Sequence, residues 1–370
     1  MEGFTLEPHA YDFLRRLLDA PGPSGYEHAP AQVWREEAAT FADEVTHDVV
    51  GNSIARIGAR EDAKDAPRVL LAGHIDEIGF VVSHIDKEGF LWVSPLGGWD
   101  DQIVVGQRLR ILGGDGDVLG VIGKKAAHLL KEEDRRRPTR LDEMWIDIGA
   151  KDRADAARRV TVGDPAVIDS RLIELTDDIC VARSIDNRVG AFVALEAARL
   201  ISENRGQAEV YAVATAQEET TFGGAYTASF TIRPHVAIAI DVTHATDYPG
   251  ANKKGDHEVE VGGGPVLGRG ATINDGVFRG LRHAASELGI EIAIQANGRS
   301  SGTDADAMIH SGQGTATGVV SIPNRYMHSP NEMVSLSDIQ NAAKLIAGFI
   351  RDLTPESDFR PGSHNWGKSA

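Results

Sequence analysis

Four apolar runs in this sequence stop abruptly on acids or imidazoles. "RVLLAG" ends on "HID" (His74–Asp76), "AEVYAVATA" on "QEE" (Gln217–Glu219), "HVAIAI" on "DVTH" (Asp241–His244), and "ATGVVSIPNRY" on "MHSP" (Met327–Pro330). A fifth segment, "SIDNR", opens a helical pattern and carries Asp186. The side chains so collected are His74, Asp76, Asp186, Glu218, Glu219, Asp241 and His328. Two imidazoles among several carboxylates form a ligand set for borderline divalent metals such as zinc, cobalt or manganese. Carboxylates alone would suit calcium or magnesium, and cysteines a structural zinc site. The set exceeds what one catalytic zinc with an open position needs. Two ions sharing a bridging carboxylate, held about 3.5–4 Å apart, would use it.

Each residue alone has an ordinary explanation: a hydrogen-bonded strand-end histidine, an Asp at a helix N-terminus, solvated loop acids. Their joint position at successive strand ends is what favours a metal. His74 and Asp76 are two residues apart on a strand pattern and share a face, so Asp76 can accept the ring N–H of His74. The adjacent pair Glu218 and Glu219 is harder to read, because neighbours on a strand point to opposite faces.

The elements that would bring these groups together can be read from periodicity. Helical patterns cover 9–19 and 27–39, the first ended by "APGPSG". Strand patterns follow in "EVTHDVV", "NSIARIG" and "RVLLAGHIDEIGFVVSHI". From about 84 to 172, short β-branched pieces alternate with Gly/Asp turns, which indicates a small β-barrel or sandwich. From 173 the chain alternates again. "DNRVGAFVALEAARLIS", "GVFRGLRHAASELG", "DADAMIHSG" and "SLSDIQNAAKLIAGFIRDL" read as helices between near-continuous apolar strands. The expected fold is α/β: a mixed, mostly parallel sheet sandwiched by helices, formed by 1–83 and 173–370 and interrupted by an inserted β-rich domain at 84–172. In open α/β sheets, sites lie outside the carboxyl ends of the strands, where the polar clusters fall. The tail from 356 reads as polar and loose. "VGGGPVLGRG" lacks the Gly-Lys-Ser/Thr of a phosphate loop and reads as a turn near the site.

Composition narrows the function classes. A net charge of −17 argues against nucleic-acid or anionic-membrane partners and suits cation binding. The single cysteine, Cys180, rules out an internal disulfide and fits a reducing compartment. The N-terminal segment has neither a basic stretch nor an apolar core of the kind a secretory signal needs, and no apolar run is long enough to span a membrane. A cytoplasmic location is expected.

The segments "AGHIDEIGF", "SIDNRVGAFVALEA", "QEE", "AIDVTHATDYPG", "GTDADAMIHSGQG" and "IPNRYMHSPNEM" resemble, in this order, the dinuclear metallo-aminopeptidases of the tetrahedral (TET) type. That family includes enzymes labelled glutamyl aminopeptidase and others labelled endoglucanase or cellulase M. The resemblance runs from about residue 10 to 352. It implies that His74, Asp186 and Asp241 hold one metal, and that Asp186, Glu219 and His328 hold the other, with Asp186 as the bridge. It implies Glu218 as the general base and Asp76 as the carboxylate orienting His74. It further implies peptide substrates, two zinc or cobalt ions per subunit with manganese as an alternative, dimer contacts through the β-rich insert, and dimers assembled into a hollow dodecamer. One departure concerns the Glu pair, which in the family is commonly followed by Val-Gly and then a basic residue before Gly-Ala. Here the segment is "QEETTFGGA", so Thr220, Thr221 and Gly223 alter the loop and the pocket charge.

Three rival readings stay open. "GRSSG" satisfies the G-x-S-x-G nucleophile pattern, and Ser300 with Asp304 or Asp306 and His328 gives a serine-hydrolase order. Glu218 and Glu219 could serve a glycosidase as acid and base. A metal-binding or assembly protein without turnover is the third.

Overall fold

The computed structural model describes residues 6–363. Residues 1–5 of the segment read for a secretory signal and residues 364–370 of the expected tail lie outside the described residues. In chain order the strands are β1 (Glu44–His47), β2 (Ser53–Ile57), β3 (Arg68–His74), β4 (Gly79–Ile85), β5 (Leu91–Leu96), β6 (Arg108–Gly113), β7 (Gly116–Gly123), β8 (Trp145–Asp147) and β9 (Pro165–Ile168). They continue with β10 (Ile173–Glu174), β11 (Ile179–Ala182), β12 (Glu209–Thr215), β13 (Val236–His244), β14 (Val266–Gly270), β15 (Ala293–Asn297), β16 (Ala316–Asn324) and β17 (Glu332–Ser335).

Eight of these strands form one sheet in the order β1-β2-β12-β3-β13-β16-β14-β15. Its centre, β12-β3-β13-β16, is parallel, and antiparallel pairings join β2 to β12 and β14 to β16. The central strands are buried almost end to end, as strands covered on both faces must be. The helix Ile185–Glu203 packs on β3, β12 and β13, and the helix Leu336–Arg351 packs on it in turn. Close approach of the first helix rests on two glycines. A Cβ at Gly73 would lie 2.2 Å from the Gly190 backbone, and one at Gly190 would lie 2.4 Å from the Ile240 carbonyl. The helix that follows Asp186 is thereby seated on the strands that carry His74 and Asp241.

A closed six-stranded barrel, β4-β5-β8-β7-β6-β9, has its own core of Phe80, Val82, Leu91, Ile111, Ile146 and neighbours. The α/β fold with a barrel-like insert is therefore present. The barrel's first strand lies ahead of the boundary expected at 84, because the run "RVLLAGHIDEIGFVVSHI" is two strands. Between them, Glu77 is buried in ion pairs with Arg188 (2.8 Å) and Arg183 (3.0 Å) and accepts the Gly22 N–H. Those partners lie off the sheet, so the chain leaves it after His74.

Two other local expectations differ. Part of "VGGGPVLGRG" is strand β14, with Val266 and Leu267 fully buried, and only the preceding Gly262–Gly264 forms a turn, tied to the carboxylate of Asp338. The tail is not loose up to 363: Phe359 stacks edge-on against Phe349, and its carbonyl accepts from Asn274. No described helix is long and apolar enough to cross a membrane.

Candidate metal centre

The parallel strands end at a common edge of the sheet. Thr215 pairs with His74, and Ala72 pairs with Ala239, so His74 and Asp241 stand at the same level on neighbouring strands. Asp186 enters from the start of its helix, where its own backbone is still non-helical (φ −76°, ψ 105°). His328 comes from the loop between β16 and β17, in a left-handed conformation with φ 59°.

Glu218 and Glu219 do not end a strand. Strand β12 stops at Thr215, Gln217 turns the chain at φ 60°, and Glu218–Thr221 form a single helical turn. Successive residues of a helix are offset by about 100° rather than 180°, so adjacent acids can both face the cluster. Their backbone is held by Asp76, whose two oxygens accept the N–H groups of Glu218 and Glu219, each at 3.1 Å. Asp76 also lies 3.4 Å from His74 Nδ1, while its main-chain carbonyl lies at 3.2 Å from the same nitrogen. Asp76 thus touches both the imidazole and the glutamate turn, although it sits beyond the end of β3 rather than on it.

The expected residues converge. His74 Nε2 is 3.2 Å from Asp186 Oδ1, 3.6 Å from Glu218 Oε2 and 3.9 Å from Asp241 Oδ1. His328 Nε2 is 3.3 Å from Asp186 Oδ2 and 3.6 Å from Glu219 Oε2. Three triplets each bring one ligand atom per residue within 4.8 Å of one another: His74, Asp186, Asp241; Asp186, Glu219, His328; and His74, Glu218, Glu219.

The electrostatics show what so dense a set of acids requires. Burial, followed by the negative charge of neighbouring acids, pushes Glu218 up to about 11, with His74 opposing. Burial and Asp186 push Glu219 up to about 8, and burial with Asp186 and Asp304 pushes Asp241 up to about 8. Burial works against charge on both histidines. The charge of Glu218 and bonds to Asp186 and Asp76 nevertheless hold His74 well above its ordinary value, and Asp186 with Glu219 raises His328 to about 9. Asp186 is itself buried, yet its bonds to His328 and His74 keep its carboxyl below the usual range. Glu219 Oε1 is buried with no hydrogen-bond partner. Oxygen and imidazole donors packed at this density, one oxygen left unpaired, fit divalent cations.

These positions fall within a stretch, residues 51–345, that matches the family model of the M42 glutamyl aminopeptidases. The chain belongs to that family. It is therefore a peptidase of the aminopeptidase class. Across 95% of its length it is 36% identical to the lysyl aminopeptidase of Pyrococcus furiosus, covering 99% of that protein. In structure it is similar to the TET aminopeptidase of Thaumarchaeota archaeon SCGC AB-539-E09, at a TM-score of 0.89 and 32% identity, covering 94% of this chain and 98% of that one. The Pyrococcus horikoshii TET1 peptidase, reported to assemble into a tetrahedron or a large octahedral shell, is similar at a TM-score of 0.82 and 29% identity, covering 93% of this chain and 100% of that one.

For an M42 peptidase the cluster needs an open approach. It lies in a cleft of about 360 Å³ whose other walls include Phe222, Thr243, Gln295, Ser301 and Met327. A larger cleft of about 710 Å³, lined partly by Glu27, Arg35 and Asp164, carries no such cluster among the described residues. Chemistry, not size, marks the site. The serine arrangement is not assembled. Ser300 is exposed and lines no part of the cleft, Asp306 accepts from Ser301, and Asp304 accepts from Thr215 at 2.5 Å. His328 faces Asp186 and Glu219 instead.

Two buried acids next to the site were given no part in a metal site by the sequence, Asp304 having entered only as a partner for Ser300. Asp304 bonds Thr215 at the end of β12, and one of its oxygens is buried without a partner. Glu332 accepts main-chain N–H groups from Asp186 and His328. Glu332 lies within "IPNRYMHSPNEM", four residues after His328, but its type and spacing gave it no role there.

Proposed function

We propose that the chain is a metal-dependent aminopeptidase that removes N-terminal residues from short peptides at a site holding two divalent ions. The observation that carries the proposal is Asp186, one carboxylate turning one oxygen toward His74 and the other toward His328. His74, Asp186 and Asp241 would hold one ion, and Asp186, Glu219 and His328 the other. Zinc and cobalt suit the donors best, and manganese is compatible. Bound there, the ions would polarise the peptide carbonyl and lower the pKa of water from 15.7 to about 7.

The chain's own groups then divide the work. Glu218 borders the cluster through His74, outside both proposed ligand triplets, and its carboxylate takes the proton of the attacking water. The same carboxyl returns that proton to the leaving amine. Asp76 holds Glu218 in place through its backbone and keeps His74 oriented. Phe222 and Met327 on the cleft wall give the substrate's first side chain an apolar surface.

The location and assembly follow in the same reading. A single free, buried Cys180 suits a reducing cytoplasm. The barrel supplies the dimer contact, and dimers build a tetrahedral dodecamer, an arrangement supported by the likeness to the TET1 peptidase. The activity is tested with a panel of aminoacyl-nitroanilides beside a cellulosic substrate, with and without chelator. Chelator-sensitive release from the aminoacyl panel is expected. Cleavage of the cellulosic substrate alone would overturn the proposal.

A further inference from the structure

We propose that Glu332 is a positioning residue that sets the distance between the two halves of the site by holding the main chains of Asp186 and His328 on one carboxylate. The inference rests on the reading of Asp186 and His328 as metal ligands.

The two residues come from segments far apart in sequence, and neither lies in regular structure at its own position. Asp186 has non-helical backbone angles, and His328 is left-handed, so neither N–H is committed to a helix or a sheet ladder. Glu332 Oε2 accepts the Asp186 N–H at 2.9 Å, and Oε1 accepts the His328 N–H at 2.8 Å. A carboxylate has acceptor capacity on both oxygens and no donor, so it can bridge two N–H groups that face inward.

The framework places it between them. Strand β17 pairs on one side with β11, where Ala182 stands opposite Glu332, and β11 leads directly to Asp186. On its other side, Met333 exchanges both main-chain hydrogen bonds with Arg325, which leads to His328. The small sheet therefore brings both segments to one point, and Glu332, only 2% exposed, closes the last gap. Burying a carboxylate is costly unless its bonds are good. A residue that served packing alone would be apolar here. Above the clamp the two side chains meet, His328 Nε2 and Asp186 Oδ2 being 3.3 Å apart.

A second carboxylate of the same form gives a control. Asp338, 1% exposed, accepts the N–H groups of Gly262 and Gly264 on its two oxygens, in a turn whose residues do not line the metal cleft. The test is calorimetric titration of the full-length, metal-stripped protein with Zn²⁺ for wild type, E332Q, E332D and D338N, beside their thermal midpoints. Glutamine keeps one acceptor and turns a donor toward the other N–H, and aspartate is too short to reach both. Both Glu332 variants are expected to keep one tight ion and to weaken the other by about 10- to 100-fold, the size seen for groups that orient metal ligands. D338N is expected to lower the midpoint without changing either affinity. If E332Q fails to fold, E332D carries the comparison. Two wild-type affinities in either folded Glu332 variant would overturn the inference. So would affinity losses in D338N that match those of the Glu332 variants. A wild-type protein that binds no metal would instead overturn the reading of the site on which the inference stands.

Discussion

Asp186 turns one carboxylate oxygen toward each of two imidazoles, at 3.2 Å from His74 and 3.3 Å from His328. The neighbouring glutamates divide differently: Glu219 stands with Asp186 and His328, while Glu218 lies 3.6 Å from His74. That division gives a sharp expectation for E218Q. The amide cannot take a proton, so turnover should fall by about 10²- to 10⁴-fold. The ions proposed here are held by other residues, so metal content measured by mass spectrometry should stay at the wild-type value. Near wild-type turnover in a metal-loaded E218Q sample would remove Glu218 from its role. At this scale much was legible in the sequence, because acids and imidazoles closing apolar runs are rare enough to stand out. What stayed hidden was how adjacent glutamates share a site. A left-handed Gln217 and one turn of helix solve it, and neither has a strong local signature. Glu332 was equally hidden, since its partners are backbone groups brought to it by tertiary structure.

The elements explain why the side chains stay where they are. Glu27, at the start of the helix His28–Ala38, accepts the N–H groups of Gly25 (2.7 Å) and Gln217 (3.0 Å), tying that helix to the turn that carries Glu218. Burial, aided by the charge of Asp76, pushes its carboxyl from 4.5 up to about 7. Between those values the folded chain keeps a proton that the unfolded chain releases. The associated stabilisation is full below the lower value and is lost as pH rises through the upper one. E27Q keeps an acceptor oxygen and cannot titrate. From pH 5 to pH 7, wild type should therefore lose about 2 kcal/mol relative to E27Q, read from urea midpoints. Parallel pH profiles for the two proteins would contradict it. Most helices and strands were visible from periodicity, including the helix after Asp186. The end of β3 was visible where "RVLLAG" meets "HID", but the separate strand β4 was not, because nothing local reveals that Glu77 is claimed by Arg183 and Arg188 from elsewhere in the chain.

In the whole molecule, an interrupted α/β sheet carries the cluster of acids and imidazoles, and a closed barrel is inserted in it. The insert was legible from its short strands and turns, whereas its edges depend on which sheet accepts each strand. On the outward side of β7, Leu119 and Val121 are 60% and 48% exposed. Exposed apolar residues adjacent on one strand face suit a contact surface. If the barrel carries the dimer contact, L119D/V121D should lower the mass measured by light scattering and leave the circular dichroism unchanged. An unchanged mass would place the contact elsewhere.

The most direct measurement is a titration of chelator-treated protein with zinc or cobalt, following release of an aminoacyl-nitroanilide and bound metal in the same samples. The expected result is no turnover without metal and full recovery at two equivalents per chain. Full turnover by protein shown to be free of metal would contradict the two-ion site.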